Sequence, residues 1–123
     1  MTMTRALRIL LVDDDAVIGT LLAAMIEDMG HSVCGIEATE AAAVAAATRD
    51  APDLMIVDAL LREGNGFAAM ETILRTRAMP HIFMSGTKLN PRDSSVILRK
   101  PFMYAELVDA IERATVSSRV NIN

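Results

Sequence analysis

Five side chains in this sequence are of types that together can handle a phosphoryl group. They are the carboxylates of Asp13, Asp14 and Asp58, the hydroxyl of Ser85 and the ammonium of Lys100. Each stands at the end of a short apolar run: Ile9-Leu10-Leu11-Val12, Leu54-Met55-Ile56-Val57, Ile82-Phe83-Met84 and Val96-Ile97-Leu98. Three carboxylates converging on one pocket repel one another, so the pocket must hold a proton or a cation. A hard divalent ion takes oxygen ligands, and Mg2+ keeps waters beside one or two carboxylates. Such an ion lets a carboxylate face an incoming phosphoryl group without prohibitive repulsion. A lysine ammonium neutralises another phosphoryl oxygen, and a serine hydroxyl donates a hydrogen bond to a third. The set suits a carboxylate that becomes phosphorylated. Any one of these residues alone reads as a solvated loop residue; their recurrence at four strand ends is what favours chemistry.

The elements that must position them follow from periodicity. Residues 7–12 read as a strand buried on both faces, as in a parallel sheet. Residues 16–29 have helical spacing, with Ile18, Leu21, Leu22, Met25, Ile26 and Met29 on one face and Gly30 as a stop. Residues 32–36 form a second strand, and Thr39 caps a helix running to about Arg49. The alanine run at 41–47 reads as a closely packed helix, alanine being the best helix former. Residues 54–57 form the third strand, followed by a Gly64-Asn65-Gly66 loop and a helix over 67–77 with Phe67, Met70, Ile73 and Leu74 inward. Residues 81–84 and 96–98 are the fourth and fifth strands. The last helix spans 103 to about 117 with Leu107, Val108, Ile111 and Ala114 inward, and 118–123 read as a frayed tail. Alternating buried strands and amphipathic helices make a parallel sheet covered on both faces. Sites in such sheets lie beyond the carboxyl ends of the strands.

The 123 residues suit one domain, with no room for a separate output module. A hydrophobic content of 52% excludes a disordered chain, and a net charge of −4 gives no support to a nucleic-acid surface. No apolar run approaches the ~20 residues of a membrane span. The apolar run after Arg8 stops at Asp13, too early for a signal peptide. The lone Cys34 reads as a buried small hydrophobe in a reducing compartment, which with the absent leader predicts a cytoplasmic protein. His31 and His81 lack a second ligand at metal spacing, and the nine methionines read as core filling.

On these residues the chain resembles a response-regulator receiver domain, related in fold to the chemotaxis response regulator. The resemblance covers about residues 7–114. It is carried by Ile9-Leu10-Leu11-Val12-Asp13-Asp14-Asp15, by Pro52-Asp53-Leu54-Met55-Ile56-Val57-Asp58, by Gly66 eight residues later, and by Lys100-Pro101-Phe102. It implies an α/β (βα)5 doubly wound fold, a five-stranded parallel sheet of order 2-1-3-4-5. It implies Asp58 as phosphoacceptor and Mg2+, or Mn2+ in its place, as cofactor. Asp14 would then be a direct metal ligand, Asp13 a ligand largely through water, and Leu60 a ligand through its backbone carbonyl. Ser85 matches the switch hydroxyl, with Gly86 and Thr87 accessory to it, and Lys100 matches the phosphate-binding lysine. The bond from Lys100 to Pro101 is expected to be cis. The implied role is a stand-alone response regulator of a two-component phosphorelay. It would be phosphorylated by a histidine kinase or histidine phosphotransfer protein docking near the first helix, and would signal to a downstream protein or pass the phosphate on. It would not be a classical enzyme, and neither nucleic acid nor membrane is an expected partner.

Three departures refine the expectation. Ile97 stands where receivers carry an aromatic switch residue, three positions before Lys100. Ser85 and Lys100 are only 15 positions apart, whereas a β-helix-β crossover needs about 10–12 residues beyond the strands themselves. The fourth helix is therefore expected to be shortened, missing or disordered. Finally, Pro80, Phe83 and Gly86 match, and Ser85 matches conservatively, a P-F-x-F-A-T-G-Y-like motif of a subclass, often single-domain, that partners with kinases of the HWE type; His81, Met84 and Thr87 do not match. Leu60 has no polar group to orient a water, which predicts slow self-dephosphorylation.

Two other readings compete. A haloacid-dehalogenase-like phosphohydrolase would place its nucleophile in a D-x-D at the first strand; Asp13-Asp14-Asp15 contains one, but the residues that follow do not fit. A pseudo-receiver would fold alike and never be phosphorylated; the complete set of acids, hydroxyl and lysine argues against it.

Overall fold

β1 (Arg8–Val12), β3 (Leu54–Asp58) and β4 (His81–Ser85) are apolar at almost every position because both faces of each are covered. They form the middle of one parallel sheet with β2 (Ser32–Glu37) and β5 (Val96–Arg99) at its edges, in the order β2-β1-β3-β4-β5. The computed structural model describes residues 5–89 and 95–120, with side chains described as far as residue 116.

Strand side chains alternate between two layers. Ile9, Leu11, Ile56, Ile82, Met84 and Leu98 face α1 (Ala16–Asp28) and α4 (Tyr104–Val120), meeting Leu22, Ile26, Leu107 and Ile111. Leu10, Val12, Met55, Val57 and Phe83 face α2 (Glu40–Asp50) and α3 (Gly66–Leu74). There α2 presents Ala43, Ala46 and Ala47, whose small side chains bring its backbone close to the sheet. Caps set the helix starts. Asp15 accepts from the amides of Val17 and Ile18, Thr39 from that of Ala42, and Asn65 from that of Ala68.

The fold is the expected doubly wound α/β arrangement, with order 2-1-3-4-5. Among the described residues no helix lies between β4 and β5, in line with the short crossover. Part of that expectation falls on residues 90–94, which lie outside the described residues.

Several details differ from expectation. Leu21 and Leu74 face solvent at 61% and 44% exposure, because the stripes that reach the sheet are narrower: Leu22 and Ile26 on α1, Ala69, Met70 and Ile73 on α3. Phe67 is also partly exposed, although its ring leans on Phe83 at 4.6 Å. α3 stops at Leu74, not at residue 77, since the chain must leave the helix before Met79 enters the core and Pro80 opens β4. Residues 118–120 are helical, not a frayed tail; no glycine or proline interrupts α4 after Ala114. Residues 121–123 lie outside the described residues. Cys34, on edge strand β2, is half-buried, and burial pushes its thiol up. His31 is buried and accepts the Leu7 amide proton on Nδ1 at 3.0 Å, a satisfied structural histidine.

Candidate functional site

The register of the sheet brings the reactive residues together. Val12 pairs with Val57, Asp58 with Met84, and Ser85 with Arg99. The residues at and just after these positions, Asp13, Asp14, Asp58, Ser85 and Lys100, therefore share the carboxyl edge of the sheet. Asp13, Asp58 and Ser85 are buried, and Asp14 is half-buried.

Lys100 Nζ lies 2.7 Å from Asp58 Oδ2 and 3.3 Å from Asp13 Oδ2. The other oxygens are held by backbone amides: Asp58 Oδ1 accepts from Leu60 at 3.1 Å and Asp13 Oδ1 from Asp15 at 2.9 Å. Asp14 Oδ2 accepts from the Arg62 amide at 2.7 Å. Burial pushes the Asp13 carboxyl above its usual range, Lys100 and the Asp15 amide offsetting only part of that. Burial pulls Lys100 down, but its bond to Asp58 and the charges of Asp13 and Asp58 outweigh it, so the ammonium is held above its usual range.

One carboxylate oxygen from each of Asp13, Asp14 and Asp58 lies within 4.8 Å of the others. Two ligands on one Mg2+ sit at most about 4.2 Å apart, twice the metal–oxygen distance. The spacing suits a single ion shared by these acids. Three acids grouped beside one ammonium suit a divalent cation.

The other predicted residues are arranged as follows. Ser85 Oγ donates to the Thr87 carbonyl at 2.8 Å and accepts from the Thr87 amide at 3.1 Å, with Thr87 Oγ1 at 3.2 Å. Its hydroxyl is thus engaged with Thr87 in this state. Gly86 is exposed, and a side chain there would meet nothing within 4 Å. Leu60 is exposed and pairs across the loop with Asn65. The Lys100–Pro101 bond is cis, and the Lys100 amide donates to the Ser85 carbonyl at 2.7 Å. Ile97 is half-buried beside Phe83, and the aromatic group of this region sits on β4, where Phe83 stacks with Phe67 and His81.

Three residues have roles that the sequence did not show. Asp15 caps α1 and turns its amide to Asp13. Arg62 reaches Asp14, from 48 residues away in the chain. Gly66 had a signal in its spacing from Asp58 but no reason. A Cβ at Gly66 would run into the backbone oxygen of Asp58 and lie 2.7 Å from Val57 Cγ1.

Fold and site together are those of a receiver module, and residues 9–112 match the response regulator receiver domain. The chain belongs to that family. It is 30% identical over 119 residues to the phyllosphere-induced regulator PhyR of Methylorubrum extorquens, covering 89% of this chain and 43% of that protein. It is also 30% identical over 116 residues to the transcriptional regulatory protein PdtaR of Mycobacterium tuberculosis, covering 87% of this chain and 56% of that one. The crystal structure of the response regulator PhyR from Brucella abortus superposes with a TM-score of 0.85 at 25% identity, over 95% of this chain and 51% of that chain. The PhyR receiver domain from Erythrobacter litoralis gives 0.79 at 26% identity, over 89% of both chains. The chain thus spans about half the length of the curated relatives it matches. These relatives are regulators. Among the described residues no helix is long and apolar enough to cross a membrane.

Proposed function

We propose that this receiver accepts a phosphoryl group on Asp58 from a phosphohistidine of a histidine kinase or phosphotransfer protein. The observation that carries the reading is the placement of the Lys100 ammonium against Asp58 and Asp13, with Asp14 completing the acid cluster. Asp58 is held in place by Lys100 on one oxygen and the Leu60 amide on the other, so its attack on phosphorus needs little reorganisation. Asp13, Asp14, Asp58 and the Leu60 carbonyl would hold Mg2+, or Mn2+ in its place, and the bound ion supplies positive charge against the phosphoryl oxygens. Lys100 stays beside the acyl phosphate and neutralises a further oxygen. Ser85 must then leave Thr87 to donate to the phosphoryl group, which rearranges the turn at 85–87. Ile97 is aliphatic, so the change leaves the site without a rotating aromatic ring on β5.

The motif at Pro80, Phe83, Ser85 and Gly86 supports a kinase of the HWE type. Output by protein contact is supported by a relative from Bartonella quintana that is described as an anti-anti-sigma factor, with a TM-score of 0.79 at 25% identity. The test is to incubate the protein with a small phosphodonor and Mg2+ and weigh it beside Asp58→Asn. The parent gains one phosphoryl group and the variant none. No gain in the parent returns the pseudo-receiver reading, and a gain that survives in Asp58→Asn sinks the assignment of Asp58.

A further inference from the structure

Arg62 stands in the loop after β3 with its side chain 87% exposed and its Nε 3.9 Å from Asp14 Oδ2. The same oxygen accepts the Arg62 backbone amide. The loop is built to keep the residue there. Leu60 and Asn65 pair across it, the Asn65 amide donates to Glu40 Oε1 at 3.1 Å, and the Glu40 amide donates to the Glu63 carbonyl at 3.1 Å. Two cations therefore approach the acid cluster, each at different carboxylates. Lys100 serves Asp58 and Asp13 from within, and Arg62 serves Asp14 at the rim.

We propose that Arg62 is a positioning residue that sets the affinity of this pocket for a divalent cation, its guanidinium being a built-in counter-ion that the metal must displace from Asp14. The inference rests on the reading of Asp13, Asp14 and Asp58 as a cation site. A metal ion and the guanidinium compete for one carboxylate, and their charges repel across it. The guanidinium is highly exposed, so the competition is modest and is screened by salt. Lys100 has a different part: it is half-buried and bonded to the acceptor carboxylate, so it remains in place when the cation enters.

The probe is Mn2+, its binding followed by calorimetry or by the resonance of the free ion, with no phosphodonor present. In about 0.02 M salt, Arg62→Ala binds Mn2+ about two- to fivefold more tightly than the parent, and the ratio falls towards one in about 0.5 M salt. Arg62→Lys keeps the charge and stays near the parent, a rescue that a purely structural role of the side chain does not predict. Equal or weaker binding by Arg62→Ala at low salt overturns the proposal, as does Arg62→Lys binding as tightly as Arg62→Ala. If the parent itself binds no Mn2+, the cation site fails and this inference with it. If the parent binds and Arg62→Ala does not differ, only the role of Arg62 fails.

Discussion

Replacing Gly66 by alanine sets two effects of opposite sign against each other beside Asp58. Gly66 is the first residue of α3, next to the Asn65 cap, and its amide donates to the Ala59 carbonyl at 2.9 Å. Alanine is favoured over glycine in helices by up to about 1 kcal/mol, less in a first turn. Against that, the new Cβ would collide with the backbone oxygen of Asp58 and come within 2.7 Å of Val57 Cγ1. One obstacle is backbone and the other belongs to a fully buried strand residue, so neither can swing away. Overpacking of this kind costs about 1–3 kcal/mol. The steric cost wins, leaving a net loss of about 1–2 kcal/mol, or a fall in Tm of about 3–10 °C for a domain of this size. Relief requires α3 to move away from β3 or Asp58 to move with it. The same variant should therefore take up phosphoryl groups from a small phosphodonor more slowly than the parent. Thermal unfolding and a phosphorylation time course on Gly66→Ala read both effects. A variant as stable as the parent refutes the packing argument, and one that is less stable but phosphorylates normally refutes the link to Asp58.

Three further outcomes follow from the buried polar groups and the loop. Burial raises the Asp13 carboxyl, so the folded state resists its ionisation, and stability is lost as the pH rises through that folded value. Asp13→Asn should therefore unfold at a higher temperature than the parent at pH 7, with a gain that shrinks towards the ordinary carboxylate range; a loss of stability at pH 7 would falsify this. His31 has the opposite sign: burial lowers it and Nδ1 accepts the Leu7 amide, so the folded chain keeps it neutral and stability falls as the pH drops below about 6.5. In His31→Gln that slope between pH 7 and pH 5 should be smaller, and an unchanged slope in denaturant titrations would remove His31 as its source. Leu60 offers only an exposed apolar side chain beside Asp58, so Leu60→Asn should shorten the lifetime of the acyl phosphate; hydrolysis no faster than in the parent argues against slow self-dephosphorylation by this cause.

Much of this protein was legible in its sequence because its signals are local. Apolar runs of three or four residues alternating with amphipathic stretches read as buried parallel strands, and the polar residue following each run then lies at the carboxyl edge. The structure has Asp13, Asp14, Asp58, Ser85 and Lys100 at that edge, and among the described residues no helix lies between β4 and β5, in line with the short stretch after Ser85. Spacing along one helix could not show that Leu21 and Leu74 stay in solvent, because which stripe meets the sheet depends on how the helix lies against it. Nor could it show what depends on segments far apart in the chain. Lys100 meets Asp13 across 87 residues, Arg62 meets Asp14 across 48, and Gly66 is required by the strand passing behind it. The sequence by itself determined which chemical groups line the edge of the sheet. Only the tertiary structure decided which carboxylate each cation serves, because strand register and loop closure, not residue type, set distances of a few ångströms.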